Sequence, residues 1–486
     1  MDAASVAITL CTTCIHGYRA FQSLKSLGND AQIILSKIEI QEHRLQGLKQ
    51  TLEIIQRSAN IRDLNLVKDS ICNTLKSIQL LTTDATHLRS HYKLKLETDT
   101  RNTTEEANAG DVDTPSLGVR VRRAYVWKWL VFDKANMDKL ATDLKTLTDG
   151  LEDLFQMAVR HEFPSSILAA WISSLNTQEP SELKIVAAAS ADTYPDLSSD
   201  ATRKLERLAA ESDFHVDLPR RATLYGIGDF SYPEPAVGDN NRAMAMLPAS
   251  RELALLEWRG LSDDFEEREL SLKRLEMIAS LLGIPRPTNM RILGCLGYLM
   301  DRDSNRAALV YRHPPNAARE RPRSLMNLLE MTTDLSLPSL DDRYVLALRL
   351  AETVFHLHMS GWLHKSINSH NVLFFQPNSW DASSGPFSST NLMEPYLTGF
   401  EFSRKGGGNG VTTTETVVEK AALNRYRHPS CQGPYRAGFK KAHDLYRYES
   451  SVPSLIKCLR VDGLLTTALL TQPRNSAPGD CPVEGI

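Results

Sequence analysis

The chain lacks a long apolar run: nowhere in its 486 residues is there the stretch of about 18 apolar residues that a membrane span requires. It also lacks an excess of charge. The formal net charge of -3 gives no global field for a polyanion, so nucleic acid is not expected as a partner. Cysteine is sparse and scattered, seven in all, and only Cys11 and Cys14 lie close together. Both sit in an apolar helical pattern with no second pair or neighbouring histidines, which argues against a zinc site. Reduced thiols in a cytoplasmic protein are the expectation. Met1-Asp2-Ala3-Ala4 has none of the basic character that opens a signal peptide. Apolar residues, in contrast, reach 42%, enough for real cores, and the length predicts two or three domains.

The first two hundred residues read as helices. Val6, Ile8, Leu10, Ile15, Tyr18, Phe21, Leu24 and Leu27 support one helix closed near Gly28-Asn29. A second is expected after Asp30 as N-cap, with Ile33, Ile34, Ile38, Leu45, Leu48, Leu52 and Ile55 at mostly three- and four-residue spacing. A third carries Leu64, Val67, Ile71, Leu75, Ile78 and Leu81. The polar, Gly/Pro-punctuated stretch from Glu97 to Gly118 reads as a loop. The strongest stripe follows, with Leu140, Leu144, Leu147, Leu151 and Leu154 on one face. Such stripes bury against one another, which predicts a helical bundle.

Two segments carry a second reading. From Ala3 to Ile15 there is no charged side chain. An all-round apolar helix is normally core, and the alternative is a segment that leaves the bundle for a bilayer, recruiting the turns up to Leu27. From Val119 to Phe132, Arg120, Arg122, Arg123 and Lys128 interleave with Tyr125, Trp127 and Trp129. That mixture suits an anionic surface; the plainer expectation is a solvated helix start with its tryptophans packed inward.

Together, Cys11-Thr12-Thr13-Cys14-Ile15-His16-Gly17-Tyr18, Leu27-Gly28-Asn29-Asp30-Ala31, Leu35-Ser36-Lys37-Ile38-Glu39-Ile40-Gln41, Trp127-Lys128-Trp129, Phe132-Asp133-Lys134 and the later leucine stripe resemble the fungal HeLo domain. The resemblance covers roughly residues 1 to 210. It implies a regulated membrane-perturbing or death-effector module that self-associates or binds a protein partner. Its contact with an anionic membrane would run through Ala3 to Leu27 and Val119 to Phe132.

From about Ala187 to Asp217 the chain turns Ser/Asp/Ala-rich, with one charged helical piece from Ala201 to Glu211, and reads as an interdomain connection. Beyond Pro219 the pattern mixes. Residues 253–258 read as a strand, 265–282 as a helix, 292–299 and 307–311 as strands, and 341–358 as a long helix. That helix leads into His364-Lys365-Ser366-Ile367, then Asn371 and the apolar Val372-Leu373-Phe374-Phe375. Order and spacing resemble the catalytic loop of protein kinases, H-R-D-L-x-x-x-N before a strand. Ser366 stands where the catalytic Asp would be, and Asn368 where a Lys is usual.

The other kinase landmarks are altered in the same way. The glycine loop is reduced to Gly226-Ile227-Gly228. Arg259 replaces the phosphate-gripping Lys, keeping charge but not its compact geometry. Arg274 stands where the helix Glu would be, with Glu276 close by. Leu309-Val310-Tyr311 resembles the hinge strand. In Leu397-Thr398-Gly399-Phe400-Glu401, Gly399 replaces the metal-binding Asp of D-F-G, and Glu401 replaces the Gly. Tyr426-Arg427-His428-Pro429 lies where A-P-E would be, and Gly433 to Tyr446 resembles part of the degenerate kinase-like domain that accompanies HeLo modules in filamentous fungi. Phosphoryl transfer depends on positioned charge, so these losses imply a pseudokinase with no catalytic residue. Arg259 and Asn371 remain as vestigial cofactor-binding positions, the latter with a plainer role in bracing its loop. No metal site or cofactor is expected, ATP with Mg²⁺ being the pair to test.

The resemblance stops at Tyr446. The abrupt loss predicts a retained intron, a frame change or a truncated gene model, with the remaining lobe unstable or chaperone-bound. Leu455, Ile456, Leu459, Leu464, Leu465 and Leu469 could supply a substitute helix. The expected organisation is multidomain. An all-α HeLo-like bundle (1–210) and a linker (211–218) precede an α+β protein-kinase-like domain with an incomplete C-lobe (219–446), then an unrelated tail (447–486). The expected function is incompatibility-type signalling by a bundle coupled to a pseudokinase, in the cytoplasm and at membranes once activated. A weakly active Ser/Thr kinase and a non-catalytic scaffold are the alternatives.

Overall fold

The computed structural model of the chain describes residues 3–57, 66–94, 96–98, 127–129, 133–159, 166–212, 222–231, 241–287, 289–330, 338–378, 392–400, 403–405, 424, 426–432 and 439–456. It divides into two compact units. The first holds Met1–His313, Glu352–His364 and Ser403–Gly408; the second holds Pro314–Ala351, Lys365–Phe402 and Asn409–Ile486.

The first unit opens with the bundle. Helix α1 (Ala3–Tyr18) buries Ala4, Ala7, Cys11, Cys14 and Tyr18, one stripe at three- and four-residue spacing. Its small residues let it lie close to its neighbours. A Cβ on Gly17 would sit 2.6 Å from Thr82 Oγ1, so that crossing needs glycine. The Cys14 thiol donates to the Leu75 carbonyl at 3.2 Å, and burial pushes it up to about 12. Thr9, Thr12 and Thr13 turn their hydroxyls back onto the carbonyls of Ser5, Ile8 and Thr9. The expected single helix to Leu27 is not continuous: a tighter 3-10 segment, Arg19–Leu27, follows α1 and ends at Gly28 with φ 99°.

Helix α2 (Asn29–Arg57) starts two residues earlier than expected, so Asp30 is in its first turn and not its cap. Its carboxylate still faces the favourable, positive end of the helix dipole. Helices α3 (Lys68–Thr83), α4 (Ala85–Tyr92) and α5 (Lys134–Val159) complete a core built on Leu45, Leu48, Ile71, Leu75, Leu140, Leu144 and Leu151. Asp84 caps α4 by accepting the amides of Thr86 and His87. Within the bundle, Arg44 donates to Asp149 (2.6 Å), Glu152 (2.7 Å), the Tyr194 hydroxyl (3.0 Å) and Ser166 Oγ (3.2 Å). Burial opposes the Glu152 carboxylate, but hydrogen bonds from Ser166 and Arg44 outweigh it and hold its pKa below the usual range.

Two expectations fail here. Trp127–Trp129 is a strand (β2), not a helix start, and pairs antiparallel with β1 (Leu96–Thr98). The first residues assigned to the loop after Glu97 are therefore strand, and residues 99–126 and 130–132 lie outside the described ones. Residues 187–212 of the expected connection belong to the bundle instead. Helices α6 (Ser166–Ser174), α7 (Pro180–Ser190) and α8 (Pro195–Ser212) form a second bundle core with Ile40, from Ala170, Trp171, Leu183, Val186, Leu197 and Ala201.

The first unit also contains a five-stranded sheet of order β3-β6-β7-β5-β4. Its strands are β3 (Thr223–Tyr225), β4 (Arg242–Leu247), β5 (Glu252–Gly260), β6 (Cys295–Asp301) and β7 (Arg306–Arg312). Only β3 runs parallel to its neighbour. Gly297 makes that pairing possible, since a Cβ there would lie 2.1 Å from the Thr223 carbonyl oxygen. Helix α9 (Phe265–Leu282) matches its expected bounds; Asp264 caps it through the Glu267 amide at 2.9 Å. In the second unit β8 (Arg323–Ser324) leads into α10 (Leu325–Glu330). The strand β8 also pairs with β10 (Val372–Phe374), which pairs on its other side with β11 (Tyr396–Leu397). Helix α11 (Leu340–Met359) gives residues 340–351 to the second unit and 352–359 to the first. Strands β9 (Trp362–Leu363) and β12 (Arg404–Lys405) pair in the first unit, and α12 (Lys441–Ile456) belongs to the second.

Candidate functional site

The loop from His364 to Asn371 is held by its own backbone and amides. His364 is buried, and its carbonyl accepts the Ser403 hydroxyl at 3.0 Å. Lys365 takes a left-handed φ of 65°, an uncommon geometry for a residue with a side chain. Its amide donates to Asp444 Oδ1 at 2.8 Å, and Asp444 is fully buried at the start of α12. The Lys365 ammonium lies 5.5 Å from the centre of the Phe439 ring, within range for a cation–π contact.

Asn368 accepts the His370 amide at 3.0 Å, capping the 3-10 turn Ser369–Asn371, and donates to the Ser366 carbonyl at 2.9 Å. Asn371 donates from the same side-chain nitrogen to the Ser366 carbonyl (2.8 Å) and hydroxyl (3.1 Å). Its own carbonyl accepts the Thr398 amide at 2.8 Å. Gly399 then passes with φ 84°, so close that a Cβ there would meet Asn371 Nδ2 at 2.2 Å. The space that a carboxylate at 399 would use is filled by the Asn371 amide.

This arrangement binds the loop to itself. Ser366, Asn368, Thr398 and Gly399 offer no carboxylate, and Asp444 is engaged by the Lys365 backbone. Among the described residues no group of three or more His, Cys, Asp or Glu is placed to hold a metal ion. Glu401 lies outside the described residues, as do residues 433–438 of the last matching run.

The expected positions before residue 313 fall in the first unit, and Tyr426–Pro429 falls in the second. Arg259 is half-buried on β5, opposite Ala307; Arg274 and Glu276 are on α9. Gly226 caps the turn Ile227–Asp229 and Gly228 lies inside it, and the Gly226 amide donates to Asp229 at 2.7 Å. A half-buried group that sequence reasoning missed lies on this unit's sheet: Glu257 accepts Arg242 at 2.7 Å and the Tyr311 hydroxyl at 3.1 Å. The period-two pattern of β5 puts Glu257 on the face opposite Leu256 and Trp258, a signal that was available.

Among the described residues no helix is long and apolar enough to cross a membrane. No curated protein matches the chain. Residues 2–185, which run from α1 into α7, match the family model HeLo, described as prion-inhibition and propagation.

Proposed function

We propose that the chain is a signalling protein of the incompatibility and cell-death type, in which a HeLo bundle is the effector and the region after residue 219 is a degenerate kinase-like regulator. The HeLo match over a packed bundle carries the first half. The second half is supported by element order: the hairpin β4–β5, then α9, then the hairpin β6–β7, joined into one sheet as β4-β5-β7-β6. It is further supported by the buried Asp444, which fastens the loop backbone at Lys365. The self-bonded loop at Ser366, Asn371 and Gly399 favours partner recognition over phosphoryl transfer, because transfer needs charge placed against the phosphate oxygens. The bundle's output would be disturbance of an anionic membrane surface.

Dye release from phosphatidylcholine vesicles containing phosphatidylserine tests the effector half. Release by residues 1–212 and silence from the full chain is the expected pattern; no release at any lipid composition sinks it. Thermal unfolding of the full chain with ATP and Mg²⁺ tests the regulator half. No metal-dependent shift is expected, and a clear one would restore the kinase reading.

A further inference from the structure

Helix α8 buries charge where a helix ordinarily buries hydrocarbon. Asp200, Arg203, Lys204 and Arg207 recur at three- and four-residue spacing, so they form one stripe, and none is more than 4% exposed. Most of this stripe has a defined partner. Asp200 Oδ2 accepts Trp171 Nε1 at 3.1 Å and lies 2.6 Å from His356 Nδ1. Lys204 donates to the Leu175 carbonyl at 2.6 Å. Arg207 Nε donates to the Ser360 carbonyl at 3.0 Å, and Gly361 passes so near that a Cβ there would lie 2.8 Å from that same nitrogen. Gly361 has φ 82°, so both backbone shape and space demand glycine.

The partners just named come from two places. Trp171 and Leu175 belong to the bundle itself. His356, Ser360 and Gly361 belong to the end of α11 and the turn that enters β9, and Phe355 and Met359 of the same segment pack against the second bundle core. A buried charged stripe is seldom the most stable way to join two helices, since matched apolar surfaces often hold as well or better. What it adds is directionality and a steep response: remove one partner and the other is left charged and dry.

We infer that α8 is a latch by which the bundle holds residues 352–361, built to open when a single polar partner is lost. Its bearing on effector release rests on the proposed function; the latch itself does not. Asp200 Oδ1 and two Arg203 nitrogens have no hydrogen-bond partner despite full burial, so the closed state leaves polar groups unsatisfied, as a contact meant to open would.

Hydrogen–deuterium exchange on the full chain tests this. D200N and R207Q are expected to speed amide exchange about tenfold or more across residues 352–364, while α2 and α5 keep their protection. R207K, which keeps a donor for the Ser360 carbonyl, should stay nearer the parent. G361A approaches the same contact from the other side and serves if D200N does not fold. Unchanged exchange over 352–364 in R207Q and G361A overturns the latch, and so does equal acceleration throughout the bundle. Faster local exchange without dye release from vesicles supports the latch and counts against the membrane-acting role.

Discussion

At Gly399 a kinase-like sequence would hold a metal-binding carboxylate, and the restoring substitution is therefore the informative one. A side chain there meets Asn371 Nδ2 and must adopt φ 84°. G399D is expected to destabilise the chain by about 1–3 kcal/mol, the scale of overpacking combined with backbone strain, and to bring no Mg²⁺-dependent thermal shift. A gain in stability with Mg²⁺ would show that the loop yields more readily than its hydrogen bonds imply. Glu42 on α2 offers a test by pH. Burial, then repulsion from Glu39, pushes its carboxyl up to about 7, above an ordinary value of about 4.3. Between those two pH values the folded chain binds more protons than the unfolded one, so stability falls as pH rises. Urea unfolding at pH 5 and pH 8 should show the parent losing roughly 1–3 kcal/mol more than E42Q over that interval; parallel losses in both proteins would count against it.

Elements were legible where one signal dominated. Helix α9 could be read to the residue from the apolar spacing of Leu270, Leu275, Ile278 and Leu282, and the structure adds Asp264 as its cap. Of helix α8, the piece from Ala201 to Glu211 is legible as a helix but reads as part of a connection, because Asp200, Arg203, Lys204 and Arg207 have the look of a solvated face although they are buried. Alternation in Trp127-Lys128-Trp129 has the period of a strand, yet the surrounding arginines suggested a solvated helix. The loop at 364–371 was recognisable from residue order alone, while its self-bonding depends on the approach of 398–399, which no local pattern encodes. At the other end, α12 runs through Tyr446 to Ile456, so the kinase-like resemblance and the helix do not stop together. Beyond that boundary, the Tyr448 hydroxyl donates to the Ala347 carbonyl at 2.9 Å. Y448F is expected to cost about 1 kcal/mol, the worth of one part-buried hydrogen bond, in thermal or urea unfolding. A neutral result would mean that this turn contributes little to the second unit. Residues 457–486, including Leu459 to Leu469 of the expected substitute helix, lie outside the described ones.

On the scale of the whole molecule, the HeLo match ends at residue 185, inside α7, but the packing does not. Leu197 and Ala201 of α8 share a core with Ile40 and Trp171, so the bundle is larger than the segment the family defines. Its first helix has a property that packing alone does not explain. With the hydroxyls of Thr9, Thr12 and Thr13 spent on carbonyls one turn back, and no charged side chain from Ala3 to Ile15, α1 makes few polar demands on its surroundings. Moving it from protein interior to another low-dielectric medium would strand almost no unpaired donor. In that sense α1 carries its own solvation, and what keeps it in place is the fit of small side chains against α2 and α3.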